Sequence, residues 1–287
     1  MPSLDDDEWN TGLKPLSMVL KVAQIQSTIL INSYGYNDVA RMIKIGGGAD
    51  SDTEEDDDAD SDCDERELMV ANDDPLAKVL VDSLAEMETT SRLGGNEIEI
   101  SPGASVAALF QPRSKEAKAL KPRLLLTFDL DDPDAKCVGC LSGCRFIRSE
   151  DMLTERFTSQ YLAQHKLPRH ITTSFFIDVI SARKKPAGQL MLLSAYLYAV
   201  RVKYPCLAMV AVTSKGVQAG KNFGMESHTY REDGAQRTLM WIQIGDLDLK
   251  HLNRKLRIGS ANNKTLQDLC TRFGLSSRTS HKIITRC

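Results

Sequence analysis

One segment near the middle of the chain constrains the fold most. The apolar run Phe175–Ile180, inside a longer stretch from Ile171 to Ser181, is typical of a central strand buried on both faces. Residues 188–203 then read as a helix, and residues 206–213 read as a second buried strand. A strand, a helix and a further strand in this order predict a crossover connection within one sheet.

The turn between the first strand and the helix carries three consecutive cations. They are Arg183, Lys184 and Lys185. The turn opens directly into the helix, so free backbone N–H groups and side-chain charge point at one spot and predict an anion site. Pro186 pre-sets the first helical turn, and Ala187 and Gly188 let a ligand approach the backbone. An ordinary solvated basic loop is the alternative.

Further elements surround this unit. The sequence predicts strands at Ser105–Phe110, Arg123–Asp129, Lys136–Ile147 and Arg237–Ile244, and helices at Glu150–His165 and Val217–Phe223. The turn residues 130–135 indicate that the second and third of these strands form a hairpin.

The first half of the chain is predicted to be mainly helical. Apolar residues from Leu16 to Ile45 recur at mostly helical spacing and predict a helical hairpin, which ends at a glycine triplet. Pro75–Glu88 predicts a helix whose apolar face is formed by Leu76, Val79, Leu80, Leu84 and Met87. We therefore expect four regions: an N-terminal helical segment (1–48), an acidic linker (49–75), a central domain (76–248) and a basic helical tail (249–287).

The net charge of −3 hides a strong asymmetry along the 287 residues. Residues 50–67 hold twelve acidic side chains against Arg66 alone, a net charge of −11. Such a block repels itself and holds too little apolar surface to fold. Residues 250–287 hold nine basic side chains against Asp268, a net charge of +8. The basic end should therefore seek polyanions.

Residues 265–284 read as a helix, a glycine-containing turn and a second helix. This pattern resembles a helix-turn-helix or a SAP module, which implies nucleic-acid binding through Arg272, Arg278 and Lys282. A charged helical tail that packs on its own domain is the alternative.

The sequence favours an intracellular setting, in the cytoplasm or the nucleus. Four of the first ten residues are acidic, where a secretory signal needs positive charge and an apolar run. The apolar stretch Leu190–Val202 falls short of a membrane span, so no membrane partner is expected. Seven cysteines, an odd number, fit a reducing compartment.

Cys137, Cys140 and Cys144 form the one cysteine cluster. Three thiolates with one further ligand could hold zinc. In a regular strand, however, Cys137 and Cys140 point to opposite faces, and no second cysteine pair follows. Because buried cysteine behaves as a small hydrophobe, we expect no metal.

The residues of the basic turn carry a family resemblance. The spacing Arg183-x-x-Pro186-x-Gly188 resembles the pyrophosphate loop of the GNAT superfamily of N-acetyltransferases. The order of hairpin, central strand, loop, long helix, strand and short helix is similar too, and so is the ending of that short helix in residues 222–225. The resemblance covers roughly residues 105–244.

The resemblance implies a mixed, mostly antiparallel twisted sheet with helices on both faces, an α/β (α+β) acyltransferase fold. It also implies that acetyl-CoA is a co-substrate and that an amine, for example on a basic protein, is the acceptor. The implied coenzyme A contacts are Val179, Ile180, Arg183, Lys184, Lys185, Ala187 and Gly188. Two positions differ from the family pattern. Pro186 stands where a glycine is usual, and Gly220 stands where many members place a tyrosine that protonates the coenzyme A thiolate.

The acceptor amine must lose a proton, so a base near the central strand is expected. Among the polar candidates Asp178, Glu226 and His228, Asp178 stands out because burial among apolar neighbours would raise its pKa. A structural role as a cap or ion-pair partner is the alternative. Tyr230, on a loop before the last strand, is the substitute acid or a surface aromatic. The alternative function is that of a catalytically inactive protein of this fold, or of another nucleic-acid-binding or interaction protein that uses the basic tail.

Overall fold

The computed structural model describes most of the central part of the chain. The described residues are 16–22, 27–45, 68–70, 75–93, 96–110, 118–134, 136–146, 167, 171–232 and 235–248. The predicted acidic linker up to residue 67, the helix at Glu150–His165 and the basic tail lie outside these residues.

The described residues form twelve strands, five α-helices and a short 3-10 helix at Ile171–Thr173. The strands are β1 (Leu16–Val22), β2 (Ser27–Gly35), β3 (Ile43–Ile45), β4 (Leu68–Val70), β5 (Thr89–Leu93), β6 (Asn96–Ile100), β7 (Arg123–Asp129), β8 (Cys137–Arg145), β9 (Phe175–Ala182), β10 (Cys206–Ala211), β11 (Glu226–Glu232) and β12 (Ala235–Gln243). The helices are α1 (Tyr36–Met42), α2 (Pro75–Glu86), α3 (Pro102–Leu109), α4 (Lys185–Val202) and α5 (Ser214–Phe223).

Eight strands form one sheet in the order β1-β2-β7-β8-β9-β10-β12-β11. Every neighbouring pair is antiparallel except β9 and β10, which are parallel and are joined through α4. Helices α4 and α5 cover one face, and α1, α2 and α3 cover the other. The predicted fold class, a mixed and mostly antiparallel sheet with helices on both faces, is confirmed, as is the crossover.

The helical hairpin predicted for Leu16–Ile45 is wrong. β1 and β2 form an antiparallel pair, and β2 continues the sheet by pairing with β7. Ile29 and Ile31 pack in the core under α4, whereas Leu30 and Tyr34 pack on the other side. Because β2 is apolar on both faces, it lacks the alternation that marks a half-buried strand. This part of the chain therefore belongs to the same sheet as the central domain.

The strand predicted for Ser105–Phe110 is also wrong, since residues 102–109 form α3. Ser101 is the N-cap, and its side chain accepts a hydrogen bond from the Ala104 N–H at 3.1 Å. Pro102 follows in the first turn, where its missing N–H costs nothing. Most side chains of α3 are buried, so the helix shows no amphipathic period in its sequence.

Smaller differences concern α2, β9 and β11. Leu80, Leu84 and Met87 are buried as predicted, but Leu76 and Val79 are 51% and 47% exposed. β9 is fully buried only over Phe175–Ile177. The strand β11 was predicted as a loop. The remaining strands and helices of residues 123–243 agree with prediction within a few residues.

Candidate functional site

The parallel strands β9 and β10 separate part-way along their length. Phe175, Phe176 and Ile177 pair with Leu207, Ala208 and Met209, respectively. Beyond Ile177, β9 continues to Ala182 without pairing to β10, which ends at Ala211. The carboxyl ends of the two central strands therefore diverge, and Val179 and Ile180 lie half-buried at this opening. Ligands of open α/β sheets commonly bind at the carboxyl ends of diverging strands.

A β-bulge lies at the same point on the opposite edge of β9. Ser142 of β8 pairs with Val179 and Gly143 pairs with Ile177, which leaves Asp178 as the extra residue. A Cβ atom on Gly143 would lie 2.6 Å from the Phe176 carbonyl oxygen, so glycine permits this close approach of the strands. Bulges bend a strand and re-aim its side chains. The bulge therefore places Asp178 where β9 leaves β10.

The turn after β9 leads into the amino end of α4. The helix begins at Lys185, three residues before the predicted start, and Pro186 lies in its first turn. Lys184 is the N-cap and makes no side-chain capping bond. The Ala187 N–H donates to the Lys184 carbonyl at 3.0 Å, and Gly188 is buried. The positive end of an 18-residue helix thus lies at the opening between the strands.

Two of the three cations have partners within the protein, which corrects the picture of a free basic cradle. Lys184 Nζ forms an ion pair with the carboxylate of Asp129, which is buried at the end of β7. The guanidinium of Arg183 donates to the Glu86 carbonyl at the end of α2. The Arg183 N–H donates to the Val138 carbonyl at 2.9 Å. Both side chains therefore fix the turn. The side chain of Lys185 lies outside the described residues.

Asp178 is exposed, so the burial that the sequence suggested for it is absent. Its Oδ2 accepts a hydrogen bond of 2.7 Å from Ser105 Oγ, in the second turn of α3. Ser105 Oγ also lies 2.7 Å from Ser142 Oγ. Both serines are buried. The carboxylate is thus held in place from the α3 side of the sheet.

Tyr230 is not brought next to Asp178. It lies on β11 and is buried rather than on a surface loop. The strands β10 and β12 lie between β9 and β11. At about 4.8 Å per strand, the two backbones are roughly 14 Å apart. The prediction that Tyr230 substitutes for the acid receives no support from this placement.

Gly220 lies in α5, and the space beside it is filled. A Cβ atom there would lie 2.6 Å from Met240 Sδ and 2.9 Å from Met209 Cε. Met240 on β12 and Met209 on β10 belong to the core under α4 and α5. A tyrosine at this position would displace them. The packing of Met240 and Met209 therefore requires a small residue at position 220, where the family pattern has a tyrosine.

The three cysteines of β8 share one core instead of pointing to opposite faces. A register shift between Thr127 and Phe128 lets Cys137 join Cys140 and Cys144 on the side of α2 and α3. All three are buried free thiols, and burial raises the pKa of Cys137 and Cys140. Among the described residues, no group of three or more His, Cys, Asp or Glu side chains is placed to hold a metal ion.

Three site residues were missed by sequence reasoning: Ser105, Ser142 and Asp129. The Ser-Pro pair at 101–102 is a helix-start signal that would have placed Ser105 on α3. Nothing in the sequence signals that Ser142 contacts Ser105 or that Asp129 contacts Lys184, because the partners are far apart in the chain. The predicted nucleic-acid contacts Arg272, Arg278 and Lys282 lie outside the described residues. None of the described helices has the length and apolar character that crossing a membrane requires.

No protein-family model matches the chain, and no curated protein matches it in sequence. Comparison with solved structures finds acetyltransferases. A putative acetyltransferase from Salmonella typhimurium, solved with its cofactor acetyl-CoA, is 10% identical with a TM-score of 0.32, over 47% of this chain and 71% of that one. The spermidine/spermine N-acetyltransferase of Vibrio cholerae is 11% identical with a TM-score of 0.34, over 62% and 91%.

A third structure, an acetyltransferase of the GNAT family from Listeria monocytogenes, is 10% identical with a TM-score of 0.28, over 54% of this chain and 99% of that one. These values describe similarity only. What the chain itself shows is the sheet order, the separated parallel pair and the helix that begins at the opening.

Proposed function

We propose that this chain is an acyl-CoA-dependent N-acyltransferase. The observation that carries the proposal is the separation of β9 from β10 beyond Ile177, directly before the amino end of α4. An extended thioester would lie along the unpaired edge of β9, with its phosphates at the helix end. This arrangement supports the GNAT-type resemblance of the residues 183–188.

The residues of the site fit such a ligand, with fewer cationic contacts than the sequence suggests. The backbone of Val179 and Ile180 lines the opening, and the first turn of α4 offers positive potential to a pyrophosphate. Arg183 and Lys184 shape the turn through Glu86 and Asp129. We assign direct charge pairing with the ligand to Lys185, and Ala187 and Gly188 are small residues in the first turn of the helix.

In the proposed reaction Asp178 acts as the general base. The carboxylate takes a proton from the acceptor nitrogen, and the nitrogen lone pair attacks the thioester carbonyl carbon. The new C–N bond forms, the C–S bond breaks, and the thiolate leaves with the electron pair and takes a proton from water. A thiolate is a fair leaving group, so direct attack does not require a positioned acid at Gly220.

For the acceptor we propose a primary amine on a basic protein. The acidic tract at residues 50–67 has a net charge of −11 and would attract such a partner. We also propose a cytoplasmic or nuclear setting, where a basic protein partner would occur.

The experiment is calorimetric titration of the full chain with acetyl-CoA. Lys185→Glu reverses charge at the start of α4 and should weaken binding about tenfold, which corresponds to about 1.4 kcal/mol. Lys203→Glu is the matched control, since Lys203 is exposed at the C-cap of α4, the end of the helix opposite the opening, and should bind like wild type. Absence of binding to the wild-type chain at millimolar acetyl-CoA would refute the proposal.

A catalytically silent binding protein of this fold is the second candidate. The filled space beside Gly220 favours it, because the packing of Met240 and Met209 leaves no site for the usual acid. Release of the coenzyme A thiol in the presence of an amine separates the two candidates. Acetyl-CoA binding without thiol release, across several amines, supports the silent protein.

A further inference from the structure

A chain of three side chains connects the interior of the sheet to the proposed base. Ser142 Oγ lies 2.7 Å from Ser105 Oγ, which lies 2.7 Å from Asp178 Oδ2. Ser142 is 0% exposed and Ser105 is 7% exposed, whereas Asp178 is exposed. This chain of hydrogen bonds therefore begins in the core and ends at the opening between β9 and β10.

The direction of the hydrogen bonds follows from the number of protons. A carboxylate only accepts, so the single O–H of Ser105 donates to Asp178. Ser105 then has no proton left for Ser142, and the Ser142 O–H donates to Ser105. Each donor thus has one assigned acceptor, and successive hydrogen bonds of this kind strengthen one another.

The hydrogen-bond chain reaches Asp178 at an irregular point of the sheet. Asp178 is the extra residue of the bulge between β8 and β9, and the pairing of β9 with β10 ends one residue earlier. Its carboxylate accepts the hydrogen bond from Ser105 of α3, which packs on β8 and β9.

We propose that Ser105 is a positioning residue, which acts through Asp178 and is itself oriented by Ser142. This inference rests on the proposed acyltransferase function. A base contributes to rate only when it is held within hydrogen-bond reach of the acceptor nitrogen. Removing the Ser105 hydroxyl takes this hydrogen bond from the carboxylate and should lower kcat, without altering contacts at the start of α4.

The test uses the full chain, acetyl-CoA and poly-L-lysine, with thiol release as the readout. Ser105→Ala should lower kcat about tenfold and leave KM for acetyl-CoA unchanged. This loss is smaller than the loss of about a hundredfold or more that removing the general base itself would cause. Ser105→Thr keeps the hydroxyl and should recover most of the rate. In Asp178→Asn, adding Ser105→Ala should cause no further loss, because the two residues act as a unit.

Ser101→Ala is the matched control for helix stability. Ser101 caps the same helix and hydrogen-bonds Glu88, but it does not contact Asp178. This variant should lower Tm and leave kcat at the wild-type value. Equal loss of kcat in Ser101→Ala and Ser105→Ala would mean that Ser105 serves only the stability of α3, and would overturn the inference.

A second readout, an NMR chemical shift, does not depend on catalysis. It tests the inference even if poly-L-lysine is not an acceptor. The carboxyl carbon of Asp178, assigned by its loss in Asp178→Asn, should change its NMR chemical shift in Ser105→Ala but not in Ser101→Ala. An unchanged signal in Ser105→Ala overturns the positioning role, whatever the activity. Failure of the wild-type chain to bind acetyl-CoA, with the signal changing as expected, removes the proposed function and not the hydrogen-bond chain.

Discussion

Lys184 and Asp129 join the basic turn to the end of β7 by an ion pair of unequal exposure. The Asp129 side chain is 2% exposed, and the Lys184 side chain is 44% exposed. Asp129 also accepts a hydrogen bond from the Asp131 N–H at 3.2 Å. A buried carboxylate depends strongly on its partners, because water cannot replace a lost one. The pair therefore contributes to the position of the turn as well as to stability.

Replacing Lys184 with Met should lower the free energy of unfolding by about 1–3 kcal/mol, since the Asp129 carboxylate loses its cation while buried. Lys136→Met is the control, because Lys136 pairs with Asp134 at 3.2 Å in an exposed position. It should give no measurable change. Urea unfolding measures the free energy of unfolding of both variants. Equal losses in the two would show that the burial of Asp129 does not increase the cost of removing its cation. Adding Asp129→Asn to Lys184→Met should recover part of the loss.

At the scale of elements, the space beside three glycines shows how closely helices and strands approach one another. A Cβ atom on Gly143 would meet the Phe176 carbonyl at 2.6 Å, which is backbone, and Phe175 at 3.0 Å. A Cβ atom on Gly220 would lie 2.6 Å from Met240 Sδ and 2.9 Å from Met209 Cε, which belong to flexible side chains. On Gly188 it would make an ordinary contact of 3.5 Å with Ala182. The strand contact at Gly143 is therefore rigid, the α5 contact at Gly220 is adjustable, and a methyl group fits beside Gly188.

Alanine at these positions should give a graded series of stabilities. Gly143→Ala should cost about 3 kcal/mol, because β8 and β9 must move apart. Gly220→Ala should cost about 1 kcal/mol or less, since methionine adapts and alanine favours the helix. Gly188→Ala should be neutral or stabilising by up to about 1 kcal/mol. Thermal or urea unfolding gives the order, and a Gly143→Ala variant as stable as Gly188→Ala contradicts the close approach at the bulge.

At the scale of the whole molecule, charge is distributed unevenly along the sequence, with an acidic tract at residues 50–67 and a basic tail at residues 250–287. The tail carries a net charge of +8 over residues 250–287. We propose that it binds nucleic acid through its cations. Phosphate contacts release counterions, so such binding weakens steeply as salt increases.

The triple variant Arg272→Glu, Arg278→Glu, Lys282→Glu of the full chain should weaken binding to double-stranded DNA. It should also reduce the slope of log affinity against log salt by about 3, or roughly 0.9 per phosphate contact. The control changes Lys78, Lys215 and Lys221 to Glu, which alters net charge equally on exposed helical positions. Equal weakening by both triples would assign binding to net charge and not to the tail.

The sequence by itself determined the elements that are fixed locally. The apolar run before Asp178, the basic turn and the long apolar helix specify β9, α4 and the crossover to β10 within a few residues, because burial and turn chemistry act over short distances. The hairpin of β7 and β8 was found for the same reason. The sequence also placed Asp178 and the start of α4 in one strand-turn-helix unit, which forms the candidate site.

Only the tertiary structure decided what depends on partners far away in the chain. β2 is a strand because β1 and β7 pair with it, although its apolar residues alone fit a helix equally well. Asp178 is exposed because a bulge and the end of pairing with β10 coincide there, and neither has a local signal. Its contact with Ser105 spans 73 residues of sequence, and hydrogen bonds over such separations follow from packing, not from periodicity.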